Sequence, residues 1–383
     1  MRFMASAGFS ITAVSSPGEH LAAFAAEEGV STRAIRMDRR ISPVRDLMSI
    51  ARLVVLLRRI RPSIVHSHTP KGGLVGMIGA WIARVPVRIY HMRGLPMIEA
   101  RGIRRLLLTW SESVGCRLAH RVICVSESLR EIAIAKGLVT ADRIRVLAHG
   151  SGNGVDAATR FNPDLLGSST RDETRADVGI NTDDFVIGFV GRLVRDKGIV
   201  ELADAWQQIA AAIPNARLLL LGHFEKADPV PVHAQQLLES DSRVHFRGWD
   251  WDMPKFYAAM DLLVLPSYRE GFPNAPLEAA AMRIPVIATR VAGCVDAVVD
   301  GETGSLVPPR DSSALAEAII AYAGDATRRA REGENGRRRA LTLFRPELIW
   351  SALRDQYFEL LADNRLPSGV AKGSPLSPAR HSS

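Results

Sequence analysis

Two glutamates, Glu270 and Glu278, bracket the segment Gly271-Phe272-Pro273-Asn274-Ala275-Pro276-Leu277, just behind the apolar run Leu262-Leu263-Val264-Leu265. The run reads as a buried parallel strand, and Pro276 suits the first position of a helix. That puts two carboxylates at one strand-to-helix turn with backbone N–H groups between them. Such a turn can hold a phosphate on its amides and present carboxylates to sugar hydroxyls. A nucleotide sugar carries both groups.

About 75 residues earlier, the strand-like run Phe185–Val190 ends in Gly191-Arg192-Leu193-Val194-Arg195-Asp196-Lys197-Gly198. Gly191 would let a ligand approach the backbone. Arg192 and Lys197 project from the loop ahead of a helix, where two cations can neutralise a diphosphate leaving group without a metal. Taken alone these are also what a solvated loop carries. Their meaning comes from Glu270 and Glu278, the opposite charges of one candidate site. The glycine cluster Gly150-Ser151-Gly152-Asn153-Gly154 follows no clear strand and has Val155 where a third glycine belongs. The dinucleotide fingerprint therefore fails, and an NAD-dependent oxidoreductase is disfavoured.

Strand-like runs alternate with helical patterns along the chain, which predicts an α/β protein with helices covering parallel sheets. The first half contains Ser10–Ser15, Ser63–His68, Val87–His91 and Arg121–Val125 as strands. Long amphipathic stretches lie near Val44–Arg61 and Arg101–Ala119, and Ser128-Leu129-Arg130-Glu131 reads as a capping box. Asn162–Asp184 is polar and reads as an interdomain connection. The rhythm restarts at Phe185, through a helix at Gly198–Ile213, strands at Ala216–Leu221, Val244–Arg247, Leu262–Leu265 and Val286–Ala288, and a wall of helices. This predicts two domains, 1–165 and 166–345, with a helix at 346–363 returning toward the first and a disordered tail at 364–383.

The chain has 383 residues and is 47% hydrophobic, enough for two cores. Its three cysteines have no framework or metal-ligand spacing and fit a reducing compartment. No apolar stretch reaches membrane-spanning length. Residues 1–150 carry a net charge of +13, the remainder −5. A basic half suggests an anionic partner such as lipid headgroups or a lipid pyrophosphate, and the Arg/Leu/Trp mixture of Arg101–Trp110 suits an anionic membrane surface as well as an ordinary packed helix.

Gly191-Arg192, Lys197-Gly198, Pro266-Ser267 and the Glu270…Glu278 pair, with Val291-Ala292-Gly293 and Asp300–Pro309, resemble the donor half of glycosyltransferase family 4, retaining enzymes of GT-B fold. His68-Thr69-Pro70-Lys71, Arg93-Gly94-Leu95-Pro96 and Gly150–Asp156 look more narrowly like enzymes of capsule and O-antigen assembly. The resemblance implies two Rossmann-like domains facing across a cleft, and transfer of a hexosyl or N-acetylhexosaminyl unit from a nucleotide sugar, UDP-linked, to a lipid-pyrophosphate-linked glycan. It implies no metal, no nucleic acid, and a cytoplasmic site on the inner membrane face. Arg192 and Lys197 would bind the diphosphate, with the amides of Asn274, Ala275, Pro276 and Leu277 facing it. Glu278 would hold the ribose, and Glu270 would orient the donor sugar rather than act as nucleophile. The base would lie near Gly222 and Arg247-Gly248-Trp249.

On the acceptor side, Arg93 stands where many relatives have histidine. Arg93 is thus a candidate phosphate contact and His91 a candidate catalytic imidazole, with His68 and Lys71 at the cleft edge. His66 reads as a core histidine. The family usually begins with a strand and glycine-rich loop ahead of the point where Gly8-Phe9-Ser10 leads into a second strand. The first sheet is therefore expected to lack a strand. A sugar-nucleotide epimerase of the same fold and an inactive truncated scaffold are the alternatives.

Overall fold

The computed structural model describes residues 1–38, 42–226 and 228–364. The expected tail lies outside the described residues from 365 onward. The first half runs α1 (Arg2–Ser6), β1 (Thr12–Ser15), α2 (Glu19–Glu28), β2 (Ser31–Ala34), α3 (Pro43–Ile60), β3 (Ile64–His68), α4 (Pro70–Ile82), β4 (Val87–Met92), α5 (Gly102–Leu118), β5 (Arg121–Cys124), α6 (Glu127–Ala135) and β6 (Ile144–Val146). Its strands form two parallel sheets: β1 with β2, and β3-β4-β5-β6. Val14 of β1 and Val65 of β3 pack against the same cluster around Leu53, Leu57 and Val75, yet no strand pairing joins the two sheets among the described residues.

The second half runs α7 (Thr170–Asp177), β7 (Phe185–Val190), α8 (Ile199–Ala212), β8 (Ala216–Leu221), α9 (Val232–Ser240), β9 (Val244–Arg247), α10 (Met253–Ala259), β10 (Leu262–Leu265), α11 (Asn274–Ala281), β11 (Val286–Thr289), α12 (Cys294–Ala297), β12 (Gly304–Val307), α13 (Ser312–Ala323), α14 (Ala326–Leu343) and α15 (Pro346–Asp363). Six parallel strands are ordered β12-β11-β10-β7-β8-β9. Read from β9, this is the doubly wound 3-2-1-4-5-6 order, whose switch point lies between β7 and β10. The apolar faces of β7 and β10 explain their central place: every residue of β7 and β10 is buried, as a strand covered by helices on both sides must be.

α15 leaves the second half and packs Leu360 and Leu361 against Val87, Ile89 and Ile123 of the first. Glu359 pairs with Arg121 and Arg145. No helix among the described residues is long and apolar enough to cross a membrane.

Several local readings need correcting. Asn162–Asp184 contains α7, whose polar sequence is anchored by a buried arginine: Arg175 donates to the Ala259, Thr182 and Asp184 carbonyls and pairs with Asp261 at 2.8 Å. α6 is capped by Ser126, which accepts from the Leu129 N–H at 3.4 Å, so Ser128 is not the cap. Ser128 instead accepts from the Gly293 N–H at 2.8 Å, across the domain boundary. α11 begins at Asn274, two residues before Pro276; a proline is tolerated in the first turn because its missing N–H has no intrahelical partner there. β2 and β12 are short and partly exposed, and no apolar run marks them.

Candidate active site

The loops that follow β7 and β10 leave adjacent strands at the switch point, and this places Lys197 against Glu270. Lys197 Nζ stands 2.5 Å from Glu270 Oε1, with the side chains 18% and 11% exposed. Ser267 Oγ donates to the same carboxylate oxygen at 2.8 Å. The approach requires Gly198: it sits at φ +71°, and a Cβ there would stand 2.0 Å from the Pro266 carbonyl oxygen. Gly191 ends β7, its N–H donating to the Leu221 carbonyl at 3.0 Å. Arg192 pairs with Glu225 at 3.1 Å on more exposed ground. A ligand phosphate would have to displace Glu225 to engage it.

Glu278 lies one turn inside α11. The buried Tyr257 hydroxyl of α10 donates to Glu278 Oε2 at 2.7 Å. Burial pushes the Glu278 carboxyl above its ordinary range, against the lowering effect of that hydrogen bond and of Arg160. No side chain among the described residues caps the N-terminus of α11, so the amides of Asn274 and Ala275 are donors without intrahelical partners, while Leu277 stands one position too deep. Tyr257 was invisible to sequence reasoning, as it occupies an apolar position of α10. Trp249 is exposed, so it is not a packing residue of the core.

The first domain meets this site at Gly271. A Cβ there would stand 1.9 Å from the Arg93 carbonyl oxygen, so the residue after Glu270 lies directly on the Arg93-Gly94 turn. Ser126 Oγ donates to the Gly271 carbonyl at 2.7 Å. Asp296 accepts from the Glu127 and Ser128 N–H groups at 2.9 and 3.2 Å, capping α6 from the other domain. Arg310 and Glu99 form a further pair across the boundary. The Arg93 guanidinium reaches the Gly152 carbonyl and Asn153 Oδ1, each at 3.4 Å, and its Nε is buried without a partner among the described residues.

Behind Arg93, β3 and β4 align His68 opposite His91, and His66 lies two residues back on the same face. The three imidazoles stack with ring centroids 4.3–5.3 Å apart. His91 is 5% exposed, and its Nδ1 has no partner among the described residues. His66 Nδ1 shares a 2.6 Å hydrogen bond with the Tyr357 hydroxyl of α15. Lys71 pairs with Asp46 of α3 at 2.5 Å. The ligand atoms of His66, His68 and His91 lie within 4.8 Å of one another, a spacing a transition metal could use. The Arg93 cation beside them opposes a dication there.

Burial, then neighbouring imidazoles and Arg93, hold His66 and His91 well below the ordinary histidine range. His68 keeps exposed surface, yet desolvation and then the Arg93 charge lower it to about 4. Imidazoles with depressed folded pKa values bind fewer protons folded than unfolded. Stability is therefore full above about 6.5 and is lost as pH falls below it, by at most about 1.4 kcal/mol per pH unit for each of His66 and His91, with exposed His68, screened by solvent, adding less. Thermal melts between pH 7 and 5 are expected to show a falling Tm, with a shallower fall in His91→Gln. Parallel slopes in the two proteins would remove these histidines as the cause.

Comparison with known proteins follows the same division. The family described as Glycosyl transferases group 1 matches residues 170–339, and Glycosyl transferase 4-like domain matches residues 1–150. The chain is 34% identical over 364 residues to the capsular polysaccharide biosynthesis glycosyltransferase CapM of Staphylococcus aureus, covering 95% of this chain and 93% of that one. It is 29% identical over 290 residues to the Escherichia coli UDP-Gal:alpha-D-GlcNAc-diphosphoundecaprenol alpha-1,3-galactosyltransferase, covering 75% and 73%. The structure of Anabaena HepE, solved in complex with UDP-glucose, superposes with a TM-score of 0.75 at 24% identity, covering 92% of this chain and 91% of that one. The shared fold is GT-B.

Proposed function

The chain belongs to the group 1 glycosyltransferases of family 4, and on that premise we propose that it moves a hexosyl or N-acetylhexosaminyl unit from a UDP-sugar to a lipid-diphosphate-linked glycan, with retention, at the cytoplasmic face of the membrane. The observation that carries the reading is the Lys197–Glu270 pair at the switch point, with the uncapped N-terminus of α11 beside it. A donor diphosphate would take the Lys197 ammonium and the free amides, and Arg192 once it leaves Glu225. Glu270, steadied by Ser267, would accept from donor-sugar hydroxyls. Glu278, oriented by Tyr257, would accept from the ribose. The Arg93 turn would bring the acceptor phosphate against Gly271.

For the chemical step, the acceptor hydroxyl oxygen bonds to the anomeric carbon as the bond from that carbon to the diphosphate oxygen breaks. The acceptor proton passes to the departing diphosphate on the same face, so the products are the α-linked glycan and UDP. The protein's part is positioning and neutralisation of the leaving charge.

Incubated with a panel of UDP-hexoses and UDP-N-acetylhexosamines and a GlcNAc-diphosphate-polyprenol, the protein is expected to elongate the acceptor by one residue, α-linked by NMR coupling. A β-linked product would overturn retention. Epimerised UDP-sugar formed without acceptor would identify an epimerase instead. Transfer from none of the donors would remove the proposed reaction.

A further inference from the structure

The segment between Glu270 and α11 belongs to the second domain by sequence, yet the first domain holds it. Ser126 is 1% exposed and donates to the Gly271 carbonyl at 2.7 Å. Its oxygen also accepts from the Leu129 N–H, so one hydroxyl caps α6 and crosses the boundary. Phe272, the next residue, packs against both cores: the cluster that contains Leu277 and Phe344, and the first-domain cluster that contains Met92 and Val125. Its ring centroid lies 5.4 Å from that of Phe344. The Glu270 side chain, by contrast, is bonded within its own domain, to Lys197 and Ser267. The carboxylate and the backbone just behind it are thus fixed by different domains.

A second set of bonds closes this contact into a ring. The Glu127 and Ser128 amides that Asp296 of α12 accepts from are the first two of α6, and they have no intrahelical partner. A carboxylate there also suits the positive end of the helix. The Ser128 hydroxyl donates to Asp296 and accepts from the Gly293 N–H. Gly293 in turn lies on Gly271: a Cβ on it would stand 2.4 Å from the Gly271 carbonyl oxygen. The ring therefore runs from Gly271 through Ser126, α6, Asp296 and Gly293 back to Gly271. α12 is braced from behind, since Arg339 of α14 donates to the Asp296 and Ala297 carbonyls at 2.6 and 2.7 Å.

We infer that Ser126 and Asp296 are positioning residues: through this ring the first domain sets the backbone that carries Glu270, and with it the angle at which the carboxylate meets a donor sugar. Neither side chain bonds Lys197, Glu270 or Glu278 among the described residues, so each acts through the Gly271 turn. A misplacement of about 1 Å near reacting groups can cost on the order of a hundredfold in rate. A turn held this closely, one residue from Glu270, is therefore an element of the reaction geometry as well as of the domain contact. The inference rests on the reading that Glu270 orients the donor sugar.

Ser126→Ala and Asp296→Ala, made in the full chain beside the conservative variants Ser126→Thr and Asp296→Asn, test it. Both alanine variants are expected to lower the kcat of sugar transfer about tenfold. Their affinity for UDP, read by calorimetry, should hold within about twofold, since UDP carries no sugar for Glu270 to orient. Threonine keeps the hydroxyl and asparagine keeps an acceptor for the two amides, so both should recover most of the rate. The alanine variants also weaken the start of α6, so rates are compared well below their Tm. Wild-type kcat in both alanine variants, a loss that UDP affinity shares, or no recovery in the conservative variants overturns the positioning role. Amide exchange at Gly293 reads the ring without turnover. Its Ser128 acceptor is intact in Ser126→Ala, so faster exchange there reports opening from the far side of the ring. Unchanged exchange overturns the ring. Faster exchange in a protein whose wild type transfers no sugar removes the enzyme reading and keeps the ring. Faster exchange with wild-type kcat keeps the enzyme and removes the positioning role.

Discussion

Replacing Glu278 by glutamine is expected to weaken UDP-sugar binding by roughly ten- to a hundredfold, the about 1.5–3 kcal/mol of a hydrogen bond to a charged group, without destabilising the protein. The two effects separate because of where the carboxylate sits. It is half-buried, and burial raises its pKa above the ordinary range. A carboxyl whose folded pKa is raised binds its proton more tightly folded than unfolded. The stability that goes with that proton is present at low pH and lost as pH rises through the folded pKa, so at neutral pH the ionised group is a cost. Glutamine has no charge to desolvate and still accepts from the Tyr257 hydroxyl. Thermal melts at pH 7 should therefore show Glu278→Gln at or above wild-type Tm, while calorimetry with a UDP-sugar shows the lost affinity. Tyr257→Phe should do less to binding, since it removes only the group that aims the carboxylate. Wild-type affinity in Glu278→Gln would remove the ribose assignment. A fall in Tm with intact affinity would make Glu278 a structural residue of α10–α11 packing.

The contrast between Glu278 and Tyr257 shows what was legible in the sequence. Gly191, Arg192, Lys197, Glu270 and Glu278 lie in two short stretches, each directly behind an apolar run. Local spacing plus the rule that ligands sit at strand carboxyl ends was enough to group them. Tyr257 lies on a separate helix, and its hydroxyl is meaningful only once α10 and α11 pack. Asp296 capping α6 is farther still: the bond joins residues 169 positions apart across two domains. A second bond across the boundary, from the Gly293 N–H to Ser128 Oγ, explains why Ser128-Leu129-Arg130-Glu131 is not the capping box its spacing suggests: Ser128 serves the opposing domain and leaves the cap to Ser126. α7 was hidden for a different reason. A helix that docks through a buried arginine has the composition of a linker, and only the Asp261 and carbonyl partners of Arg175 reveal it.

Lys197→Ala is expected to lower kcat/KM by about 10²–10³, mostly in kcat, the magnitude of removing one fixed donor from a developing anion. Lys197 and Glu270 neutralise each other at 2.5 Å in a site mostly closed to water, with Ser267 on the same oxygen. Taking away Lys197 removes the partner of the leaving diphosphate. It also strands a carboxylate where the diphosphate must come, so part of the loss is repulsion. Glu270→Gln removes that repulsion at the expense of sugar orientation. The pair should therefore be non-additive: Lys197→Ala with Glu270→Gln is expected to be no slower than Lys197→Ala alone, a coupling that a double-mutant cycle on kcat/KM measures directly. A salt bridge that served only the fold would behave otherwise. Its rupture would appear in Tm for both single variants, with kcat/KM of the folded fraction within a few-fold of wild type. That result would detach Lys197 and Glu270 from the chemistry and leave the switch point as packing between the loops behind β7 and β10.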